Sequence, residues 1–159
     1  KYNYKTPTDI VFTLQEPEKK FVSYLISDEI SKKIDAWIKA RDVGFYSIDY
    51  QKNKGAAFKG FNPDFFIKIG ANTLVAEIKA DGDVSEENCA KYRAGKRHFE
   101  LLNMELNKSN IKEKYYFNFL CPSDYTAYFQ YIKDGRIFIS NFHGILEDEL
   151  EKEDNNRYS

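Results

Sequence analysis

The chain has 159 residues, 42% of them hydrophobic and 16% aromatic, with 24 Lys and Arg against 25 Asp and Glu and a net charge of −1. That length supports one domain with a real core, and the aromatic content predicts a core or contact surface rich in Phe and Tyr. The near-neutral balance excludes a global pull toward nucleic acid, no apolar run approaches the roughly 20 residues needed to cross a bilayer, and no basic start precedes an apolar stretch as it would in a secretory signal.

The chain begins at Lys1 rather than Met, which reads as a piece of a longer protein. Residues 1–9 are a polar and aromatic lead-in, and Ile10 to Leu14 reads as a short strand. Pro17 suits the first turn of a helix, on which Phe21, Val22, Leu25 and Ile26 recur at helical spacing. A second helix is expected from Ser27-Asp28, with Ile30, Ile34, Trp37 and Ile38 on one face, ending near Gly44. Phe45 to Tyr50 reads as a strand and Gln51 to Gly55 as a turn. Two strands then alternate with period 2. Phe65, Ile67 and Ile69 share one face, and Leu74, Ala76 and Ile78 share the matching face across a Gly70-Ala71 turn. Asp81-Gly82-Asp83 is a loop rather than a calcium site, because the EF-hand spacing is missing.

Ser85 opens a long helix to about Asn107, striped by Tyr92, Phe99, Leu102 and Leu106. Tyr115 to Cys121 is a strand stopped by Pro122. Ser123 is expected to cap a helix to Tyr131 whose Tyr125, Tyr128, Phe129 and Tyr131 pack in a core or interface. Asp134-Gly135 turns into a strand from Arg136 to Ser140. Residues 147–159 carry six acids against two bases and read as a solvated, frayed tail, which leaves the body slightly basic. The order predicts an α/β fold with a central mixed β-sheet flanked by helices, a core over about residues 10–140 and no second domain. Cys89 and Cys121 could form one disulfide, but two cysteines in a chain of this size suggest buried reduced thiols and a cytoplasmic protein. No CxxC pair or histidine cluster marks a structural zinc site, and His143 has a surface or packing role.

The hairpin carries the chemistry. With a two-residue turn at Gly70-Ala71, Ile69 faces Asn72, Ile67 faces Leu74, and Asp64 faces Glu77. Lys79, two residues on, projects to the same side as Glu77. Two opposed carboxylates repel unless a cation lies between them. Oxygen ligands of this kind suit Mg²⁺, with Mn²⁺ as a substitute. Such an ion polarises a phosphoryl oxygen and acidifies a bound water. The lysine beside it would orient or deprotonate that water or stabilise developing charge.

Pro63-Asp64, a gap of 12 residues, and Glu77-Ile78-Lys79 resemble the motif of the PD-(D/E)XK nuclease superfamily. Glu18-Lys19-Lys20-Phe21 looks like that family's first core helix, and a strand before the motif with a helix after it follows the family's order. The chain is most similar to the C-terminal endonuclease domain of type III restriction subunits and related helicase–nuclease proteins. The likeness covers roughly residues 16–107. It departs at Ala80, where such domains often have Gly, and this bears on the following loop. The resemblance implies a restriction-endonuclease-like core in which Asp64, Glu77 and the carbonyl of Ile78 bind Mg²⁺, Lys79 assists the water and Glu18 supports the metal. It also implies DNA cleavage leaving 5′-phosphate and 3′-hydroxyl ends. No GxxxxGK[ST] loop occurs, so an ATP-driven translocase partner would lie outside this chain.

Glu29 competes with Glu18 for the supporting role and fits the motif less well. Lys91, Arg93, Lys96, Arg97 and His98 form a basic run, with Ala94 and Gly95 small enough to let a phosphate backbone approach. Lys91, Lys96 and Arg97 are the candidate DNA contacts, against the alternative of a solvated helix face. Two further functional readings remain. One is a catalytically inactive nuclease fold used for DNA binding or interaction, and the other is a small α/β domain unrelated to nucleic acid.

Overall fold

A computed structural model describes residues 5–7, 11–13, 15–40 and 46–158. Helix α1 (Glu16–Leu25) starts with Pro17 in its first turn, as expected, and buries Phe21, Val22 and Leu25. After α2 (Asp28–Ser31) come strands β1 (Ala36–Lys39), β2 (Ile48–Gln51), β3 (Phe58–Phe61), β4 (Phe65–Ile69) and β5 (Asn72–Ile78). Helix α3 (Glu86–Lys108) leads to β6 (Lys114–Leu120). A 3₁₀ turn, α4 (Tyr125–Asp134), a second 3₁₀ turn and α5 (Ile145–Tyr158) complete the chain.

The central sheet has the order β1-β4-β5-β6 and is mixed: β5 and β6 are parallel, the other pairs antiparallel. The parallel pair needs a long crossover, which α3 supplies. Its N-cap is Ser85, whose hydroxyl accepts from the Asn88 amide. On one face of the sheet, Phe65, Ile67, Leu74, Ala76 and Ile78 pack with residues of α1, α2 and α4. On the other, Val75 meets α3 and the separate two-stranded β2–β3 ribbon. Phe119 there meets α3 and α5. This is the α/β arrangement expected, a central mixed sheet flanked by helices. Tyr125, Tyr128 and Phe129 are core residues around Phe21. Cys89 and Cys121 are both buried free thiols.

Several local expectations are corrected, and one strand is added. The second helix stops after one turn, and Trp37 and Ile38 lie in β1. Their helical spacing gives way because the outer edge of β4 needs a hydrogen-bonding partner; on its own far side β1 donates Trp37 N–H to the Lys5 carbonyl. Residues 58–61 form a strand that the sequence pattern did not announce. Ser123 is not the helix cap: a 3₁₀ turn occupies Pro122–Asp124, and the Ser123 amide bonds Asp81 at 3.0 Å. Residues 136–140 are not a strand; Arg136–Phe138 is 3₁₀. The outer edge of β6 is closed by side chains instead: Asn103 bonds both backbone groups of Tyr115, and Glu147 accepts from the Phe119 amide. The acidic tail is the ordered helix α5. Its Leu146 and Leu150 are fully buried, and its acids pair with α3 through Arg93–Asp154 and Lys96–Glu151. The expected strand from Ile10 to Leu14 falls partly outside the described residues, and 11–13 are not strand; Phe45 also falls outside. No helix among the described residues is long and apolar enough to cross a membrane.

Candidate metal centre

The β4–β5 ladder pairs Ile69 with Asn72, Ile67 with Leu74 and Phe65 with Ala76, the register read from the sequence. Gly70 has φ of +57° while Ala71 is not positive, the φ pattern of a type II′ turn, which needs Gly at its first central position. One step past the ladder Asp64 comes opposite Glu77. Both share the parity of Phe66 and Val75, which pack toward α3. The two carboxylates and Lys79 therefore lie on the α3 side, at the end of the sheet where β1 and β5 finish and β4 begins.

Backbone bonds hold Asp64 there. Its carbonyl accepts from the Ala40 amide at 2.8 Å, and its Oδ2 accepts from the Ile78 amide at 2.7 Å. In an extended strand the N–H and C=O of one residue point to the same edge, so the Ile78 carbonyl also looks toward Asp64. Lys79 Nζ donates to Glu77 Oε1 at 2.7 Å. Glu77 is only 4% exposed, and its Oε2 has no hydrogen-bond partner among the described residues. A buried carboxylate oxygen without a donor is costly unless something binds it.

The electrostatics agree with this geometry. Burial, and next the charge of Glu77, push Asp64 up to about 7, against the Ile78 amide and Lys79. Burial likewise raises Glu77, with Lys79 and then Lys91 opposing it. Burial works against the charge on Lys79, but Glu77 and Asp64 outweigh it and raise its pKa. Lys79 is therefore an ammonium at neutral pH, while the two acids together are short of positive charge.

Glu18, in the first turn of α1, pairs with Lys39 at 3.4 Å, each side chain 13% exposed. Glu18 is also among the charges that raise Asp64. The Glu18–Lys39 pair lies on the α1 face of the sheet, since Lys39 is opposite Phe65 and sits over its ring. Glu29 is elsewhere, bonded to Lys133 on α4 at 2.7 Å. The basic run on α3 divides. Lys91 leans to the site, 3.6 Å from Glu87 and over the Tyr50 ring. Lys96 turns to Glu151 of α5, and Arg97 is exposed. Gly95 is buried; a Cβ there would lie 2.3 Å from the Phe117 ring, so its small size serves helix–sheet packing. Lys39, Tyr50 and Glu87 were not singled out in the sequence. Lys39 sat in a segment with helical spacing, and only the fold brings Tyr50 to α3.

Among the described residues no three His, Cys, Asp or Glu side chains gather as a ready-made cluster for an ion. The set here is two carboxylates and a carbonyl, which suits a hard cation that keeps several waters. The free oxygen of Glu77 and the mutual repulsion of Asp64 and Glu77 both fit such an ion. No protein-family model matches the chain, and no curated protein or solved structure matches it significantly.

Proposed function

We propose that this chain is a Mg²⁺-dependent endodeoxyribonuclease domain with a PD-(D/E)XK core, hydrolysing DNA phosphodiester bonds alongside an ATP-driven translocase outside the chain, as in type III restriction and helicase–nuclease enzymes. The observation that carries this reading is the buried, unpartnered Oε2 of Glu77 beside Asp64 and Lys79. Asp64, Glu77 and the Ile78 carbonyl would hold the ion, which would supply charge stabilisation at the phosphate and an acidified water. Lys79 stays protonated and is tethered to Glu77, so its part is to orient the attacking water and stabilise developing negative charge rather than to remove a proton. Glu18 supports the ion from α1 while Lys39 holds it in place. Lys91 adds positive charge on the α3 side for the DNA backbone. DNA cut this way carries 5′-phosphate and 3′-hydroxyl ends, and the compartment is the cytoplasm.

The test is cleavage of plasmid DNA with Mg²⁺ or Mn²⁺, with Lys79→Ala as control. Metal-dependent nicking that falls at least about 100-fold in the variant is expected for a group acting on the transition state. Divalent-ion binding without cleavage, also in the presence of a translocase partner, would instead support an inactive DNA-binding module. The closed Lys79–Glu77 pair would serve such a module equally well.

A further inference from the structure

The two side chains that close the outer edge of β6 leave a gap between them. In a strand, alternate residues turn both backbone groups to the same edge. The Lys114 amide donates to the Ala71 carbonyl, and the Leu120 carbonyl accepts from the Lys79 amide, so the even-numbered residues of β6 serve β5. Tyr115, Phe117 and Phe119 therefore face outward. Asn103 takes both groups of Tyr115, and Glu147 takes the Phe119 amide. Phe117 presents an N–H and a C=O side by side, and neither has a partner among the described residues.

A cleft of about 580 Å³ lies along this edge, between α3 and the segment that joins α4 to α5. That is the size of an ordinary small-molecule site. Phe117 lines it, with Tyr92 and Met104 of α3 on one side and Ile137 and Phe142 on the other. Asn118 lines it too, although it is only 5% exposed. Its Nδ2 donates to the Phe142 carbonyl at 2.9 Å and to Glu147. Its Oδ1 accepts from no described residue, which leaves an acceptor for whatever enters the cleft.

These features select the occupant. An added strand bonds alternate residues along an edge, and here the residues on either side of the gap are already capped. The opening thus suits a ligand that meets one residue. A donor beside an acceptor on the protein calls for an acceptor beside a donor on the ligand, as on the edge of a cyclic amide or amidine. Lys96 and Lys114 in the lining are matched by Glu100 and Glu147, so the cleft favours a neutral molecule over a phosphate. We propose that the cleft binds a free nucleoside, with the hydrogen-bonding edge of its base on the Phe117 N–H and C=O, its ring among the apolar side chains, and a further donor on Asn118 Oδ1. The inference stands apart from the nuclease reading and needs no metal.

The test titrates the whole, isotopically labelled chain with adenosine, guanosine, cytidine and uridine up to about 10 mM and follows the Phe117 amide by NMR. At least one nucleoside is expected to move that amide and saturate with a Kd of about 1 mM or tighter. The same nucleoside methylated so that its base loses the donor should bind about tenfold weaker. Met104→Trp, at a position 55% exposed, keeps the fold and should weaken binding to the same degree by filling the cleft. A short oligonucleotide of the preferred base should bind no more tightly than the nucleoside. The proposal falls if none of the four moves the Phe117 amide, if the methylated nucleoside or Met104→Trp binds undiminished, or if the oligonucleotide binds more tightly. It also falls if the amide shifts with protein concentration alone, which would mark a second copy of the chain as the occupant.

Discussion

Asp64 stands between two demands. Out of water and facing Glu77, its carboxyl is held near neutrality, up to about 7 from an ordinary 3.8. A divalent ion needs the opposite, because only the ionised form is a ligand. Replacing it by Asn removes the repulsion with little change of shape. Asp64→Asn is therefore expected to stabilise the metal-free chain at about pH 8 by roughly 1–3 kcal/mol, and to abolish the rise in Tm on adding Mn²⁺. A drop in the metal-free Tm would show that the repulsion is not there. Wild-type Mn²⁺ affinity should climb as pH rises through about 7, with roughly one proton released per ion near pH 6, measured by calorimetry in buffers of different ionisation enthalpy. At this scale the sequence was informative. Strand alternation alone placed Asp64, Glu77 and Lys79 on one side, because side-chain direction in a strand depends only on parity. Lys39 and Glu87 escaped notice, since their places at the site depend on contacts far apart in sequence.

Helix α5 shows why charge composition misled at the level of an element. Its acids suggested a solvated tail, yet Asp124 accepts from its Ile145 amide at 2.6 Å and Gly144 lets the chain pass where a Cβ would meet that carboxylate. Leu146 and Leu150 then cover Cys89, Tyr92, Phe119 and Cys121. Two leucines in a 14-residue helix are a faint apolar signal, and the basic partners of its acids lie on α3, some 60 positions upstream. Leu150→Ala should cost about 2–5 kcal/mol through the cavity it leaves, lowering Tm by roughly 5–15 °C. Cys89, whose thiol donates to the Leu150 carbonyl, should at the same time become reactive to a thiol reagent. An unchanged Tm with a still-protected thiol would mean that α5 does not seal this layer.

For the whole molecule, Asp64 and Glu147 act together on stability. Glu147 is buried under Asn118, Phe119 and Gly144, and burial pushes it up to about 8 from 4.5 despite those three donors. Both acids bind protons more readily in the folded chain than in the unfolded one. Their contribution is thus fully present below about pH 4 and is lost as pH rises through 7 and 8. Metal-free protein is expected to melt several degrees lower at about pH 8.5 than at about pH 5.5, and saturating Mn²⁺ should narrow the gap. A flat profile in the absence of metal would contradict the burial of both groups. The sequence by itself determined the hairpin register, the long crossover helix, the aromatic core around α4 and the side on which the three charged residues gather, because each follows from local periodicity or turn chemistry. Only the tertiary structure decided that residues 36–39 pair as a strand, that the β6 edge lies open at Phe117, that α5 closes the far layer, and which basic residues reach the centre. Those outcomes depend on which sheet edges and helix faces remain unpaired once the rest of the chain has packed.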